Sequence, residues 1–236
     1  MAEDKTFCSA VVVAAGKGTR FGSDIPKQFL EVNGKPVLYY SLKALCDSDI
    51  IKEIIIVTSE EWIDFVTEEI VRKYEMEKVQ AIVLGGAERY DSVFAGLMSV
   101  DISSDYVYIH DGARPMLTEE IIARGLETVE KYRTAVAAVP SSDTVKITDE
   151  DMVVTETPDR RNVWRIQTPQ IFEYDLIIKA YFSLTDEDKA GLTDDAMIIE
   201  RKTDVPVHLF MGSEDNIKIT TPADLEIIRN MGTVVK

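Results

Sequence analysis

The sequence predicts an α/β fold, a doubly wound and mainly parallel sheet that carries a projecting β-arm. Runs of β-branched residues alternate with segments of helical periodicity from about residue 8 onward. The linkers between them are short, as in repeated strand–helix units of a parallel sheet. The alternation breaks at residues 143–157, where two β-rich pieces flank the acidic turn 149–151. We therefore expect a single domain, 1–236, with a hairpin arm at about 141–160.

Each element of the sheet is predicted from its own pattern. Buried strands are expected where apolar runs are nearly continuous, as in CSAVVVA, because such strands are covered on both faces. These strands are 8–14, 53–58, 79–84, 106–110 and 135–139. Helices are predicted at 36–45, where a proline suits the first turn, at 60–74, at 91–98 and from Thr118, which offers a cap-like side chain. After the arm, the pattern predicts helices at 174–181, 194–200 and 222–231, and strands at 205–210 and 217–220.

Composition excludes several classes of protein. The 236 residues include 26 Lys and Arg against 42 Asp and Glu, a net charge of −16, which argues against a nucleic-acid or membrane-surface binder. Hydrophobic residues make up 45% of the chain, an ordinary value for a globular protein. Cys8 and Cys46 form no CxxC pair, and neither a basic-then-apolar leader nor a membrane-length apolar run is present. A cytoplasmic enzyme or ligand-binding domain is expected.

A glycine-rich basic loop follows the first strand. It reads AAGKGTRFG, and Pro26 and Lys27 come shortly after it. The dinucleotide fingerprint fails because Phe21 replaces its third glycine, and no glycine–lysine–serine/threonine closes a Walker loop. The cations Lys17, Arg20 and Lys27 suit a triphosphate whose α-phosphorus is attacked. A plain glycine turn with exposed lysines explains the loop equally well.

Two later segments have polar residues that could bind phosphate or metal. In YVYIHDGAR, Asp111 ends a strand and could hold Mg²⁺, while Arg114 could grip a phosphate. An Asp-Gly turn with a surface ion pair is the competing interpretation, and His110 is expected to be a buried supporting residue. The arginines of DRRNVWR could meet either an acidic neighbour or a phosphate. In NIKIT, alternation sets Lys218 opposite its isoleucine neighbours, where a lysine is usually solvated, and TDDA suits a helix N-cap.

Together the segments closely resemble the 2-C-methyl-D-erythritol 4-phosphate cytidylyltransferase family over roughly residues 7 to 231. The matching motifs are AAGKGTRFG with PKQFL, GGAERYDSVFAGL, HDGARP, DRRNVW with TPQIF, TDDA, and NIKIT. The resemblance implies a Rossmann-like nucleotidyltransferase fold. It also implies that the phosphate of methylerythritol phosphate attacks the α-phosphorus of CTP in line, with Mg²⁺ as cofactor and no covalent enzyme intermediate.

The resemblance also implies a role for each matching residue. Arg20 and Lys27 would stabilise the transition state, and Arg160 and Lys218 would position the acceptor phosphate. The implied nucleotide-binding residues are Ala14, Ala15, Gly16, Lys17, Gly86 and Ser92. Those implied to hold the acceptor are Asp111, which would also touch the metal, Arg114, Thr144 and Thr168. Family members are homodimers whose arms cross, so Thr144 and Arg160 would serve the partner's site.

Other functions remain open from the sequence. Ribitol 5-phosphate cytidylyltransferase shares the chemistry, and a UTP- or GTP-dependent sugar transferase shares the opening loop. A non-catalytic nucleotide-sensing module is a further possibility. The doubled arginine leaves Arg160 and Arg161 as alternatives, although counting back from Trp164 favours Arg160.

Overall fold

The computed structural model describes residues 6–16 and 25–231. The predicted site residues Lys17 and Arg20 therefore lie outside the described residues. Within the described ranges the strands are β1 Cys8–Val13, β2 Glu31–Val32, β3 Lys35–Pro36, β4 Ile51–Thr58, β5 Val79–Leu84, β6 Tyr106–Asp111, β7 Thr134–Pro140, β8 Ile147–Thr148, β9 Val154–Glu156, β10 Trp164–Glu173 and β11 Leu209–Met211.

The helices lie between or after these strands in the chain. They are α1 Val37–Asp47, α2 Ile63–Phe65, α3 Arg89–Leu97, α4 Glu119–Tyr132, α5 Tyr174–Phe182, α6 Asp186–Lys189, α7 Ala196–Lys202 and α8 Pro222–Met231. A 3₁₀ turn, Glu60–Trp62, precedes α2, and a π-helical turn, Val66–Arg72, continues it, so the predicted helix 60–74 is present as three helical types. Two more 3₁₀ turns of the same length occur at Lys27–Phe29 and Arg160–Asn162.

The central sheet confirms the predicted α/β class. Its seven strands run in the order β11-β7-β10-β6-β1-β4-β5. All neighbouring pairs are parallel except the two formed by β10, which is antiparallel to both β6 and β7. Two further hairpins, β2–β3 and β8–β9, lie outside this sheet.

Helices cover both faces of the sheet, and β1 illustrates why. Val12 packs in one hydrophobic layer with Leu38 of α1, whereas its neighbour Val11 packs in the other with Val93 of α3. Successive side chains of a strand point to opposite faces, so an apolar residue is required at every position of a doubly covered strand. Helix α3 approaches closely because a Cβ on Gly96 would lie 2.4 Å from Val11 Cγ1.

Three sequence-based expectations were wrong or incomplete. The segment 217–220 is not a strand, and the strand expected at 205–210 is restricted to β11. Strand β10 was not predicted at all, since Pro169 and polar residues interrupt its apolar pattern. Its register with β7 shifts between Ile166 and Gln170, around that proline. The sheet consequently gains an antiparallel strand in its interior, between β7 and β6.

The hairpin β8–β9 lies within the segment predicted to form an arm. All five residues of its two strands are exposed, including Ile147 and Val154. No helix in the described part of the chain is long and apolar enough to cross a membrane.

Candidate active site

The candidate site lies at the carboxyl ends of the parallel strands, where α/β sheets bind ligands. Val13, the last residue of β1, is paired with Asp111, the last residue of β6. Residues 14–16 continue from β1 into a cavity that Gly86 and Ser92, which follow β5, also line. Lys27 lines the same cavity. The described nucleotide-binding residues predicted from the sequence are thus brought together with Lys27.

Gln28, which the sequence analysis did not single out, holds the strand-to-loop turn in place. Its side-chain Nε2 donates hydrogen bonds to the carbonyl oxygens of Ala14 at 2.6 Å and Gly16 at 3.0 Å. Gln28 is itself buried. Gln28 lies in the motif PKQFL, which could have drawn attention to it. Glutamine is a common surface residue, however, so its type alone did not indicate a role in the site.

The loop after β5 closes against the loop after β1. A Cβ on Gly85 would lie 2.5 Å from Ala15 Cβ, so only glycine allows this approach. The backbone N–H of Gly86 donates to Ser92 Oγ at 3.1 Å, and Ser92 Oγ donates in turn to the Glu88 carbonyl. Ser92 therefore fixes the turn that lines the cavity.

Asp111 is a buried carboxylate surrounded by three cations. Lys218 Nζ lies 2.9 Å and Arg114 Nε 3.6 Å from its Oδ2, and Arg89 Nε lies 3.5 Å from its Oδ1. Burial by itself raises the pKa of Asp111, but the charges of Lys218, Arg89 and Arg114 outweigh burial and hold that pKa well below its ordinary range. Asp111 is therefore ionised, and the cluster around it is net positive.

Arg89 is the main residue that sequence reasoning missed. Its guanidinium forms a fork with the buried Asp195 carboxylate, with N···O distances of 3.0 and 2.8 Å. Asp195 also accepts the Tyr181 hydroxyl at 2.7 Å, and Gln170 Oε1 accepts the Asp195 backbone N–H at 3.0 Å. The TDDA segment was expected only to cap a helix. Asp194 does accept the backbone N–H of Met197, as a cap would. Asp195, however, binds the Arg89 guanidinium.

A second cavity adjoins the first. Arg114, Thr168 and Gln170 line it. Arg89, Asp111 and Lys218 line both cavities, so they stand at the junction. A phosphate in either cavity would meet the same cations, which is the arrangement that transfer between two bound phosphates requires.

The expectation from alternation that Lys218 is solvated was incomplete. Its side chain is 35% exposed, but it also forms the ion pair with Asp111. The backbone N–H of Ile219 donates to the Ala113 carbonyl at 2.9 Å, which ties the irregular segment 216–220 to the loop after β6. That link, formed between residues distant in the chain, places the lysine in the site.

Two predicted residues are not brought to the cavities within this chain. Thr144 and Arg160 are exposed near the β8–β9 hairpin and line neither cavity. Arg161 pairs with Asp159, whereas Arg160 Nη1 donates only a long 3.4 Å hydrogen bond to the Ser142 carbonyl. Of the two interpretations given for the arginines of DRRNVWR, the acidic neighbour is thus correct for Arg161. It is also correct for Arg165, which pairs with Glu214.

The described residues contain no cluster of three or more His, Cys, Asp or Glu that could hold a metal ion. A cation at this site would have Asp111 as its carboxylate ligand and would depend on substrate oxygens for others. Mg²⁺ commonly binds in this way, through one or two carboxylates and the phosphates of a substrate.

The fold and the site together define a nucleotidyltransferase. A family model described as 2-C-methyl-D-erythritol 4-phosphate cytidylyltransferase matches residues 8–231. The enzyme of that name from Lachnospira eligens is 47% identical over 220 residues, covering 93% of this chain and 96% of the relative. Its namesake from Caldanaerobacter subterraneus is also 47% identical, over 219 residues and the same shares of the two chains. The chain therefore belongs to the 2-C-methyl-D-erythritol 4-phosphate cytidylyltransferase family.

Solved structures agree with this assignment. The crystal structure of 4-diphosphocytidyl-2C-methyl-D-erythritol synthase from Anaerococcus prevotii has a TM-score of 0.86 and 35% identity, covering 98% of this chain and 97% of that one. The Francisella tularensis 2-C-methyl-D-erythritol 4-phosphate cytidylyltransferase has a TM-score of 0.78 and 29% identity, covering 94% and 98%. The predicted fold family is confirmed.

Proposed function

We propose that this chain transfers the cytidylyl group of CTP to 2-C-methyl-D-erythritol 4-phosphate in non-mevalonate isoprenoid biosynthesis. A phosphate oxygen of the acceptor attacks the α-phosphorus in line, and the bond from that phosphorus to the bridging oxygen breaks. The products are 4-diphosphocytidyl-2-C-methyl-D-erythritol and diphosphate, which leaves with the electron pair. Besides the family assignment, one structural observation supports this reaction most strongly. Two adjoining cavities are both lined by Arg89, Asp111 and Lys218.

The nucleotide would occupy the cavity after β1. The backbone of 14–16, with Gly86 and Ser92, offers polar groups to the cytidine, and Lys27 faces the same space. We assign Lys27, with Arg20 and Lys17, to the triphosphate. Cations at these positions stabilise charge that develops on phosphate oxygens in the transition state. No side chain needs to act as a nucleophile, because positioning and charge neutralisation suffice for this reaction.

The acceptor would occupy the second cavity. Lys218 lies at the junction, where it can hold the attacking phosphate, and Arg114 and Thr168 line the far side. Arg114 is itself fixed, since its Nη1 donates to the Asn216 carbonyl at 2.8 Å. An ionised carboxylate accepts hydrogen bonds and coordinates cations, so Asp111 could contact acceptor hydroxyls, a metal ion, or both.

Enzymes of this class generally depend on a divalent cation, and we assign Mg²⁺ to this one. Bound Mg²⁺ would neutralise charge on the triphosphate and the departing diphosphate. Asp111 is the residue of this chain that would contact it.

We further propose a homodimer whose arms cross, so that Thr144 and Arg160 of one protomer serve the other's site. The hairpin exposes apolar side chains, including Met152 at 80% and Val153 at 59%, and such a patch favours a protein partner. Arg160 lacks the ion pair that holds Arg161, which supports Arg160 as the phosphate ligand.

The free thiols of Cys8 and Cys46 fit a reducing cytoplasm.

A diphosphate-release assay with CTP tests the reaction. Methylerythritol phosphate should release diphosphate, and ribitol 5-phosphate should be a much poorer acceptor. Release only with ribitol 5-phosphate would replace the proposed acceptor, and release only with UTP or GTP would replace the proposed nucleotide. Binding of CTP without release from any acceptor would point to a nucleotide sensor.

Lys27→Ala tests the cation's role. Turnover should fall by about 10²-fold or more, as on removal of a donor that stabilises a transition state. Lys179→Ala is the matched control, because Lys179 is an exposed lysine paired with Asp175 on α5. Near-normal turnover of the Lys27 variant would refute the assignment.

Mixed dimers test the arm exchange. An Arg160→Ala subunit combined with a Lys27→Ala subunit should regain one intact site, because each supplies what the other's site lacks. Size-exclusion chromatography with light scattering reports whether dimers form. If mixed dimers form and stay as inactive as either parent, the arm does not serve the partner's site.

A further inference from the structure

The segment 212–220, which carries Lys218, lies outside the helices and strands. One end is tied to β7 by the Gly212 N–H, which donates to the Ala138 carbonyl at 2.9 Å, and the other is tied to the loop after β6 through Ile219. An irregular segment has no ladder of backbone hydrogen bonds along its length, so contacts with neighbouring side chains must fix what lies between its ends.

Gln167 of β10 binds the start of this segment with its side-chain amide. Its Nε2 donates to the Ser213 carbonyl at 2.7 Å, and its Oε1 accepts the Ser213 N–H at 3.3 Å. Gln167 is only 6% exposed. A Cβ on Gly212 would lie 2.3 Å from Oε1, so a larger residue there would displace the amide. Both polar atoms of the Gln167 side chain are thus engaged by one residue of the segment.

Asn216 binds β10 from the side of the segment. Its Nδ2 donates to the Thr168 carbonyl at 2.8 Å. A carbonyl oxygen only accepts, so the amide nitrogen and not the amide oxygen must face it. Asn216 is fully buried, and its Oδ1 has no hydrogen-bond partner among the described residues. A buried oxygen without a partner costs free energy, so the donated hydrogen bond is what an asparagine supplies at this position.

The two amides support residues on which the acceptor site depends. The backbone carbonyl of Asn216 accepts the Arg114 Nη1 at 2.8 Å. Lys218, two residues further along, reaches Asp111 at 2.9 Å. A shift of the segment would therefore move Lys218 relative to Asp111 and remove the support of Arg114.

We propose that Gln167 and Asn216 are positioning residues, two buried amides that lock segment 212–220 onto β10 and thereby fix Lys218 and Arg114 for the acceptor. Gln167 lines the second cavity, but Ser213 occupies both polar atoms of its amide, so it acts through the segment. Transfer between two bound phosphates depends strongly on how precisely the attacking group is held. The proposal rests on the proposed function for the identity of the acceptor.

Hydrogen exchange followed by mass spectrometry tests the lock without any substrate. Gln167→Met and Asn216→Ala should each raise the exchange rate of segment 212–220 roughly threefold to tenfold, the effect of the lost hydrogen bonds, and leave β1 and β4 unchanged. The two variants remove different hydrogen bonds, so either one decides the question if the other fails to fold. Unchanged exchange of the segment in the folded variants would overturn the proposal.

Tyr174→Phe is the matched control for both variants. It removes one buried hydrogen bond, from the Tyr174 hydroxyl to the Leu97 carbonyl at 3.0 Å, and Tyr174 lines neither cavity. Its segment 212–220 should exchange at the wild-type rate. An equal rise in this control would mean that the loss of any buried hydrogen bond loosens the segment, which would also overturn the proposal.

Steady-state kinetics test the consequence for the acceptor. Gln167→Met and Asn216→Ala should each raise the KM for the polyol phosphate roughly threefold to tenfold and the KM for CTP by less than about twofold. The reason is that Arg114 and Thr168 line the second cavity but not the first. Tyr174→Phe should leave both KM values near wild type. Equal rises of the two KM values, or faster exchange of the segment with no change in the KM for the polyol phosphate, would refute a positioning role toward the acceptor.

The two measurements also separate this proposal from the proposed function. If the wild type uses no polyol phosphate at all, the proposed function fails. Hydrogen exchange still decides in that case whether the two amides hold the segment that carries Lys218.

Discussion

Replacing Arg89 with methionine should destabilise the folded chain by about 3 kcal/mol, the lower end of the range for breaking a buried ion pair. The change leaves the Asp195 carboxylate, which is fully buried, without the guanidinium fork that neutralises it. We choose the lower end because the Arg89 side chain is 28% exposed and the Tyr181 hydroxyl still donates to Asp195. For a chain of this size the melting temperature should fall by about 6–12 °C.

Urea unfolding at a fixed protein concentration measures this loss as a lower midpoint with an unchanged slope. The double variant Arg89→Met/Asp195→Leu should be more stable than Arg89→Met alone, because it removes the orphaned charge. Arg72→Met is the control. Arg72 is 69% exposed in its pair with Glu68, so its loss should cost less than about 1 kcal/mol. A loss below about 1 kcal/mol for Arg89→Met, or simple additivity in the double variant, would refute the reasoning.

Two further predictions concern Gln28 and Cys8. Gln28→Leu leaves the Ala14 and Gly16 carbonyls without their donor, so the KM for CTP should rise by about tenfold in steady-state assays, and an unchanged KM would contradict this role. Burial, with the charges of Asp105 and Glu130, raises the pKa of Cys8 from 9.0 to about 12. Below pH 9 this thiol is neutral in both the folded and the unfolded chain. Between pH 9 and 12 it ionises only in the unfolded chain, so the free energy of unfolding falls by about 1.4 kcal/mol per pH unit. From pH 8 to pH 10 the urea midpoint should therefore fall further for the wild type than for Cys8→Ala. Equal falls in the two proteins would count against the prediction.

The sequence determined the parts of the fold that depend on local pattern. The run CSAVVVA predicted a strand buried on both faces, and β1 packs against helices on both sides. Strand β10 lacks such a pattern, because its polar residues and Pro169 serve the site and the register shift instead of a continuous core. It is held in the sheet by β6 and β7, whose positions its own sequence does not specify.

The candidate site divides in the same way. Motifs in the sequence identified residues 14–16, Lys27, Gly86, Asp111 and Lys218, and these line one cavity. The motif GGAERYDSVFAGL was recognised, but nothing local distinguishes Arg89 from a surface arginine. Its partner Asp195 lies 106 residues away, and a buried carboxylate is evident only once the fold is known.

Taken by itself, the sequence determined the strand and helix periods, the residue types suited to a polyphosphate, and the family. These follow from short-range backbone preferences, burial and motif spacing. Tertiary structure alone decided that Lys218 pairs with Asp111 and that Arg89 is neutralised by Asp195. Both contacts join residues that are far apart in the chain, so no local pattern announces them. The net charge of −16 therefore coexists with a positive cluster, because charge is set by composition but its distribution is set by the fold.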